Sequence, residues 1–577
     1  MEHHAEVLTG GRWQYPAPGW RDLVITTLLL VVLVLLGSGA REMVAPLGAA
    51  HPPEISLSPL ALPLYTLRTT LRMLVALGAS LVFTFVYATL AAKSRRGEMV
   101  LIPLLDVLQS VPILGYLSFT VLFFVSLFPH RALGAELAAV FAIFTSQAWN
   151  MAFSFYQSLR TVPLDLAEAS RSFRFSAWQR FWRLEVPFAM PGLLWNMMMS
   201  MSGGWFFVVA AEAITVGDLQ IDLPGVGSYV ARAIAERDLA AVGWAILAMT
   251  AAILIYDQLL FRPLVAWADK FRFEQTAAQV VPRSLLLAWS RRAQLLRRLA
   301  APVGAAIDIV TRARLSFPPR VHLPAVQLPR RLGDLAWDAL ILGAVIYALE
   351  KLYRFAGVGL SWDDLAVVAR NGGLTLLRVV ILIALATMVW VPIGVAVGLR
   401  PKLAEKVQPA AQFLAAFPAN LLFPVAVFFI LRFELSPAIW LSPLMILGTQ
   451  WYIVFNVIAG ASAFPSDFRE VAASFRIGGW RWWREVMLPG IFPYYVTGAI
   501  TASGGAWNAS IVAEAVSWGP TKLSAGGLGA YIAAMTAAGD FPRIALGIAV
   551  MSVLVIAMNR LLWRPLYAFA EGRTRLD

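Results

Sequence analysis

The 577-residue sequence contains no cysteine, which excludes disulfide staples, thiol catalysis and cysteine-ligated metals. Histidine is scarce as well: there are five, and His3 and His4 sit together near the amino terminus, where they read as a solvated tail. Too few remain to expect a metal site. Charge is low, with 14% of residues Asp, Glu, Lys or Arg, against roughly 25% in an average soluble chain. A chain that is 59% apolar with so little charge cannot solvate the surface of compact cores, so a membrane protein is expected. The sequence also lacks any G-x-x-x-x-G-K-[ST] run to cradle nucleotide phosphates. Its start, Met1-Glu2-His3-His4, has neither the basic stretch nor the small-residue cleavage site of a secretory signal, so the first apolar segment is expected to stay in place.

What the chain does have is long charge-free runs. Crossing about 30 Å of hydrocarbon takes about 20 apolar residues as helix, because each backbone group must be satisfied within its own segment. Such runs cover 23–40, 73–92, 107–129, 137–159, 186–211 and 239–256, then 339–349, 379–399, 407–431, 435–466, 490–513 and 544–559. The run at 339–349 reaches membrane length only if Asp338 and Glu350 lie at the interfaces. The expected fold is an all-α polytopic membrane protein with about 12 transmembrane helices. The net charge of +13 would suit a nucleic-acid partner in a soluble chain, but its placement decides otherwise. With the amino terminus inside, the inner segments of the first half hold 23 Lys and Arg and the outer ones 6. The excess is positive-inside charge, which predicts a cytoplasmic amino terminus and no nucleic-acid partner.

The two sets of six runs are copies. Between residues 163 and 264 a constant shift of 302 carries Pro187 to Pro489, Trp205 to Trp507, Glu212 to Glu514 and Gly227 to Gly529. Farther upstream Leu71-Arg72 matches Leu377-Arg378 and Pro112 matches Pro418 at a shift of 306. Six helices per copy keep both in one orientation, which predicts a parallel repeat with a pseudo-two-fold axis along the membrane normal. The organisation expected is a first transmembrane domain over 1–264, a basic linker over 265–331 and a second transmembrane domain over 332–577. In the linker, leucines and Trp289 alternate with Arg291, Arg292, Arg297 and Arg298 in a helix-like pattern that suits either an anionic membrane surface or a solvated connection.

The loop after the fourth run reads Pro163-Leu164-Asp165-Leu166-Ala167-Glu168-Ala169-Ser170-Arg171-Ser172-Phe173-Arg174 and continues to Leu184-Glu185-Val186-Pro187. Its copy reads Pro465-Ser466-Asp467-Phe468-Arg469-Glu470-Val471-Ala472-Ala473-Ser474-Phe475-Arg476 and continues to Val486-Met487-Leu488-Pro489. Proline and aspartate suit the first turn of a short amphipathic helix. Both loops resemble the EAA signature of ABC importer permeases: E-A-A, three residues, Gly, nine residues, an aliphatic, one residue, an aliphatic, Pro. Two departures stand out. Ser170 takes the third position in the first copy, and Arg174 and Arg476 replace the glycine, a residue that would permit a positive φ.

The resemblance implies a type I importer permease with two normally separate units fused. Asp165, Glu168, Ala169 and Arg174, with Asp467, Glu470, Ala472 and Arg476, would couple to two cytoplasmic ATPase subunits. ATP and Mg would be bound by those partners, and this chain would itself be no enzyme. Residues 208–213 and 507–515, each followed by a Gly-x-Gly-x-Tyr stretch, are similar to the nitrate/sulfonate/taurine branch. That branch implies a small oxyanion received from an external or periplasmic binding protein at a bacterial inner membrane.

At 1.5 Å per residue, Trp205 lies roughly 20 Å and Glu212 roughly 30 Å along the fifth span. Trp205 and Trp507 are expected either to narrow the pathway or to fill space. Asn508 and Ser510 are expected to line it. Glu212 and Glu514 suit no anion pathway and are expected as interface pairs or contacts for the binding protein. Asp106 is expected to pair with an arginine. Permeases for ferric iron, sugars or amino acids remain open, and an ion-coupled secondary transporter would predict midplane ionisable groups and broken helices.

Overall fold

The computed structural model describes residues 55–271, 294–314 and 359–574, apart from 130, 218 and 465, with isolated positions in 27–37 and 339–354. The expected spans at 23–40 and 339–349, the histidine tail, much of the linker and the Asp106 side chain lie outside the described residues.

Apolar runs become helices wherever proline does not interrupt them. In the first half these are α1 (Leu62–Lys93), α2 (Arg95–Leu108), α3 (Ile113–Leu127), α4 (Ala132–Arg160), the short α5 (Leu164–Ser172) and α6 (Ala177–Glu212). A hairpin of β1 (Ala213–Val216) and β2 (Leu219–Asp222) follows, then α7 (Val226–Glu236) and α8 (Leu239–Ala268). From the linker, α9 (Gln294–Arg312) is described. The second half repeats the order: α10 (Trp362–Gly398), α11 (Pro401–Ala416), α12 (Ala419–Arg432), α13 (Pro437–Met445), α14 (Gln450–Ser462), α15 (Ser466–Ser474) and α16 (Leu488–Ala513). It closes with β3 (Ala515–Trp518), β4 (Thr521–Ser524), α17 (Leu528–Ala538) and α18 (Phe541–Phe569). The protein is a polytopic all-α membrane protein with two small hairpins. Among the described residues, six helices are long and apolar enough to cross a membrane, or eight if each of two bent pairs counts as one span.

Two runs expected as straight spans are broken. The run at 107–129 contains the end of α2, a non-helical step at 109–112 and the start of α3. The run at 407–431 bends by 79° between α11 and α12. Pro112 and Pro418 sit at these two breaks, lacking an N–H and disfavouring helix in the residue before them. The run at 435–466 is also bent, by 44° between α13 and α14. Other prolines are absorbed. Four π-helical turns, Phe181–Glu185, Asp257–Phe261, Trp483–Met487 and Asn559–Trp563, each end two residues before a proline, and the widened turn lets the helix continue.

The halves meet through reciprocal bonds. Gly217 N–H at the first hairpin tip donates to the Thr536 carbonyl (3.1 Å), and Gly519 N–H at the second donates to the Ile234 carbonyl (2.9 Å). Both donors and both acceptors are 302 positions apart, the signature of a two-fold relation. Each hairpin directly follows its own long helix, so both emerge at one end of the molecule and the copies are parallel. Buried residues of both halves form one continuous core.

Candidate functional site

The short helices α5 and α15 are built alike. In each, the third position of the motif faces inward: Ser170 is 5% exposed and Ala472 is 3% exposed. Serine is tolerated because it is small and its hydroxyl bonds back to the Ala167 carbonyl (2.7 Å). Asp165, Glu168, Ala169 and Arg174 are exposed, as are Asp467, Glu470 and Arg476. The two arginines at the glycine position adopt the left-handed conformation themselves, with φ of 50° at Arg174 and 52° at Arg476. Around each, a Schellman closure ends the helix: Phe175 N–H reaches the Ser170 carbonyl (3.1 Å) and Ile477 N–H the Ala472 carbonyl (2.8 Å). The turn that a glycine would favour is therefore kept without glycine. Phe173 and Phe475 stand exposed beside the acids, giving each loop an apolar and acidic face of the kind that marks a contact surface.

The first loop has an extra neighbour. Trp178 Nε1 donates to the Val310 carbonyl (2.7 Å) and Gln179 Nε2 to the Arg312 carbonyl (2.9 Å), capping the end of linker helix α9. The equivalent of Trp178, Trp480, is exposed.

Beside the hairpins, each half buries a carboxylate. Glu212 accepts from Arg72 Nη1 (2.6 Å), Thr69 Oγ1 (2.7 Å) and Gly227 N–H (2.7 Å). Glu514 accepts from Arg378 Nη1 (2.9 Å), Thr375 Oγ1 (2.8 Å) and Gly529 N–H (2.8 Å). The carboxylates meet the first turns of α7 and α17, where unpaired N–H groups favour negative charge. The Gly-x-Gly stretches follow from this packing. A Cβ on Gly225 or Gly527 would strike the Glu212 or Glu514 carboxylate, and one on Gly227 or Gly529 would strike the carbonyl of Val209 or Ser510. Glu212 and Glu514 are 0% and 1% exposed, and each pairs with an arginine of its own half. Glu136 holds Arg72 from the other side through Nε and Nη2, both at 2.6 Å; it stands just before the run at 137–159 and has no acidic counterpart in the second half, so neither the apolar runs nor the repeat marks it.

A cavity of about 310 Å³ lies between the halves. Both broken regions reach it, through Ser110 and Ile113 on one side and Phe417 and Ala419 on the other. Its described lining carries hydroxyls, amides and aromatic rings but no Lys, Arg, Asp or Glu. Asn508 lines it and clamps the halves, its Oδ1 accepting from Ile113 N–H (2.7 Å). Asn420 Nδ2 makes the reverse contact to the Phe206 carbonyl (3.1 Å), and Phe206 is the first-half equivalent of Asn508. Trp205 and Trp507 do not line the cavity: they are 0% and 1% exposed, and Trp205 packs edge-on against Tyr256 with centroids 5.7 Å apart. Ser510 is also buried, its hydroxyl spent on the Trp507 carbonyl (2.8 Å).

Comparison with known proteins matches this architecture twice. The family model for binding-protein-dependent transport system inner membrane components matches residues 80–262 and again 388–562. The bicarbonate transport system permease protein of Synechococcus elongatus is 29% identical over 158 residues, covering 27% of this chain and 52% of that protein. The nitrate import permease protein of Leptolyngbya laminosa is 24% identical over 235 residues, covering 40% and 75%. The taurine transport system permease protein of Escherichia coli is 24% identical over 269 residues, covering 44% and 93%. The match thus spans about half the length of the first of these relatives.

Proposed function

We propose that this chain, which belongs to the family of binding-protein-dependent transport system inner membrane components, is the fused permease of an ATP-driven ABC importer. Its two transmembrane domains, 1–264 and 332–577, rock about their shared interface by alternating access. Two cytoplasmic ATPase subunits, which bind the ATP and Mg, dock on the loops around Glu168 and Glu470, and this chain supplies no catalysis of its own. An external binding protein delivers a small solute bearing an oxyanion, in line with relatives whose names specify bicarbonate, nitrate and taurine. The chain sits in a bacterial inner membrane with its amino terminus in the cytoplasm.

The observation that carries this reading is the pair of loops. One chain presents two exposed acidic helices, each with a small residue facing inward at the same position and the same left-handed turn. A lone copy of such a loop would be an ordinary interfacial helix; two in one chain suit a two-fold pair of motors. Native mass measurement should find one copy of this chain with two ATPase subunits, and the isolated chain should turn over no ATP. A complex of two with two, or ATP turnover by the chain alone, refutes the fused-permease reading.

The broken helices also suit an ion-coupled secondary transporter. Such a carrier needs ionisable groups where its ions bind, and the described cavity lining offers none.

A further inference from the structure

Linker helix α9 (Gln294–Arg312) is about 28 Å long, and its described surface is uncovered. Ala301, Pro302, Ala305 and Ala306 are exposed, Ile309 is 72% exposed and Val310 52%. Helical spacing puts Leu296, Leu299, Val303, Ile307 and Val310 in one stripe, with Ile309 at its edge. The same spacing puts Arg297, Arg298, Asp308 and Arg312 on the opposite side. Asp308 is the one acid of the helix, and Arg312 already pairs with it (2.8 Å). A helix this two-sided suits a surface that receives its apolar stripe and its cations at once.

Depth and charge say which surface that is. The carboxyl end of α9 is held where Trp178 Nε1 and Gln179 Nε2 donate to the carbonyls of Val310 and Arg312. Both donors stand in the first turn of α6, at the loop end of a helix long and apolar enough to cross a membrane. Tryptophan collects at this level. Trp182 packs edge-on against Trp178 with centroids 5.7 Å apart, and the matching stretch of the second half carries Trp480, Trp482 and Trp483. Aromatic belts of this kind mark the headgroup layer. Over 265–331 the linker holds 12 Lys and Arg against 3 Asp and Glu, a balance that anionic lipid attracts. A protein partner would have to bring an acidic groove to this height, whereas the bilayer is there already. We propose that α9 is a membrane-surface helix: its apolar stripe enters the headgroup layer of an anionic leaflet, its arginines pair with lipid phosphates, and Trp178 and Gln179 tether its end beside the first loop. The proposal stands whether or not the chain imports an oxyanion.

Because the chain has no cysteine, one introduced cysteine carries one label. The full chain is placed in nanodiscs of phosphatidylcholine alone and of phosphatidylcholine with phosphatidylglycerol. An environment-sensitive fluorophore is attached at Val310→Cys, in the stripe, or at Ala305→Cys, exposed on the opposite side. In the anionic discs the Val310→Cys label should shift to the blue and be quenched by a spin-labelled lipid. The Ala305→Cys label should stay open to aqueous iodide in both discs. Each arginine near an anionic surface contributes roughly fivefold to attachment, so Arg297→Gln with Arg298→Gln should weaken it about 25-fold. Salt near 1 M, where screening leaves a reach of about 3 Å, should weaken it too. Should Val310→Cys fail to fold, Ile309→Cys, at a position 72% exposed, carries the test. A stripe label that stays in water in both discs overturns the proposal, as does equal lipid contact with and without phosphatidylglycerol. So does protection that arises only once ATPase subunits bind, which would give the face to a protein.

Discussion

In the first half Arg72 lies between two buried carboxylates, Glu136 and Glu212, whereas Arg378 at the matching position meets Glu514 alone and turns its other donors to the carbonyls of Ala525 and Gly526. The contrast recurs at the opposite end. Glu185 ties Lys93 (2.7 Å) to Arg180 (3.2 Å), and Glu98 bonds the Tyr156 hydroxyl. The matching residues of the second half are Leu399, Met487 and Ala404 at these shifts, and they carry no charge. What stays identical is different in kind: the Glu to Gly N–H bonds, the left-handed turns and the crossed hairpin contacts. Contacts that fix the backbone path have been kept in both copies, because a lost one would leave a buried N–H or an unclosed helix end. Ion pairs that only brace neighbouring helices have diverged, which fusion allows since each half need serve one side only.

The largest effect to look for is on coupling. Both acids of the loops are exposed and equivalently placed, so Glu168→Lys and Glu470→Lys should each reduce ATPase co-purification, and the double variant should lower it by roughly tenfold or more. Membrane level should hold, since neither residue lies in a charge-free run. Because α9 accepts hydrogen bonds from the first loop through Trp178 and Gln179, a milder loss for Glu168→Lys would show the linker helping to hold the motor. Normal uptake by the double variant would remove the main support for these loops.

Next in size is the buried arginine. Arg72→Met leaves two carboxylates buried without their cation, and breaking such a pair from one side costs about 3 to 5 kcal/mol. Arg378→Met leaves one carboxylate, and its Arg is 16% exposed rather than 0%, so the loss should be smaller. Adding Glu136→Gln to Arg72→Met should bring the first half close to the second. Thermal midpoints of the purified chain in lipid nanodiscs measure all three; equal losses for Arg72→Met and Arg378→Met would erase the asymmetry.

The glycines should show the opposite, a matched pair. Gly227→Ala and Gly529→Ala each push a methyl into a helix carbonyl, and overpacking of this kind costs about 1 to 3 kcal/mol. The same nanodisc melts should fall by similar amounts in both halves. A neutral result at one site would show that its half yields locally.

The sequence carried the repeat, the loops and the arginines. Arg72 and Arg378 are paired by the shift of 306, whereas the Gly-x-Gly stretches show in the sequence only as a pattern shared with one branch of permeases, and their packing reason appears once the carboxylates of Glu212 and Glu514 are placed against them. The breaks at Pro112 and Pro418 were present as markers but read as parts of straight spans, because counting uncharged residues measures hydropathy and not chain direction. Glu136 could not be found by repetition: it falls where the shift changes from 306 to 302 and has no acidic partner in the second half. Burial of Glu212 and Glu514 was hidden for another reason. An acid at the end of a span looks exposed until the N–H groups and arginine that receive it are placed in space, and those come from residues 69, 72 and 227.

The smallest effects should come from the left-handed turns, where the two halves can be set against each other with an internal control. A non-glycine residue in this conformation costs about 1 to 2 kcal/mol, while glycine gives back about 0.5 to 1 kcal/mol through the freedom it adds to the unfolded chain. Arg174→Gly and Arg476→Gly should therefore each raise stability by no more than about 1 kcal/mol, equally, since the two φ values differ by only 2°. The closure after α7 behaves differently: Arg237 has φ 58° where the second half already uses Gly539 at 69°. Here the arginine does more than turn the chain, for its side chain lies against Gly519 and its Nη2 donates to Thr521 Oγ1 (3.3 Å) across the interface. Arg237→Gly should relieve the same turn and lose that bridge, so its melting temperature should stay near or below the parent while those of Arg174→Gly and Arg476→Gly rise. If all three rise together, the Arg237 bridge contributes nothing and the crossed hairpin contacts alone hold the two halves at that end.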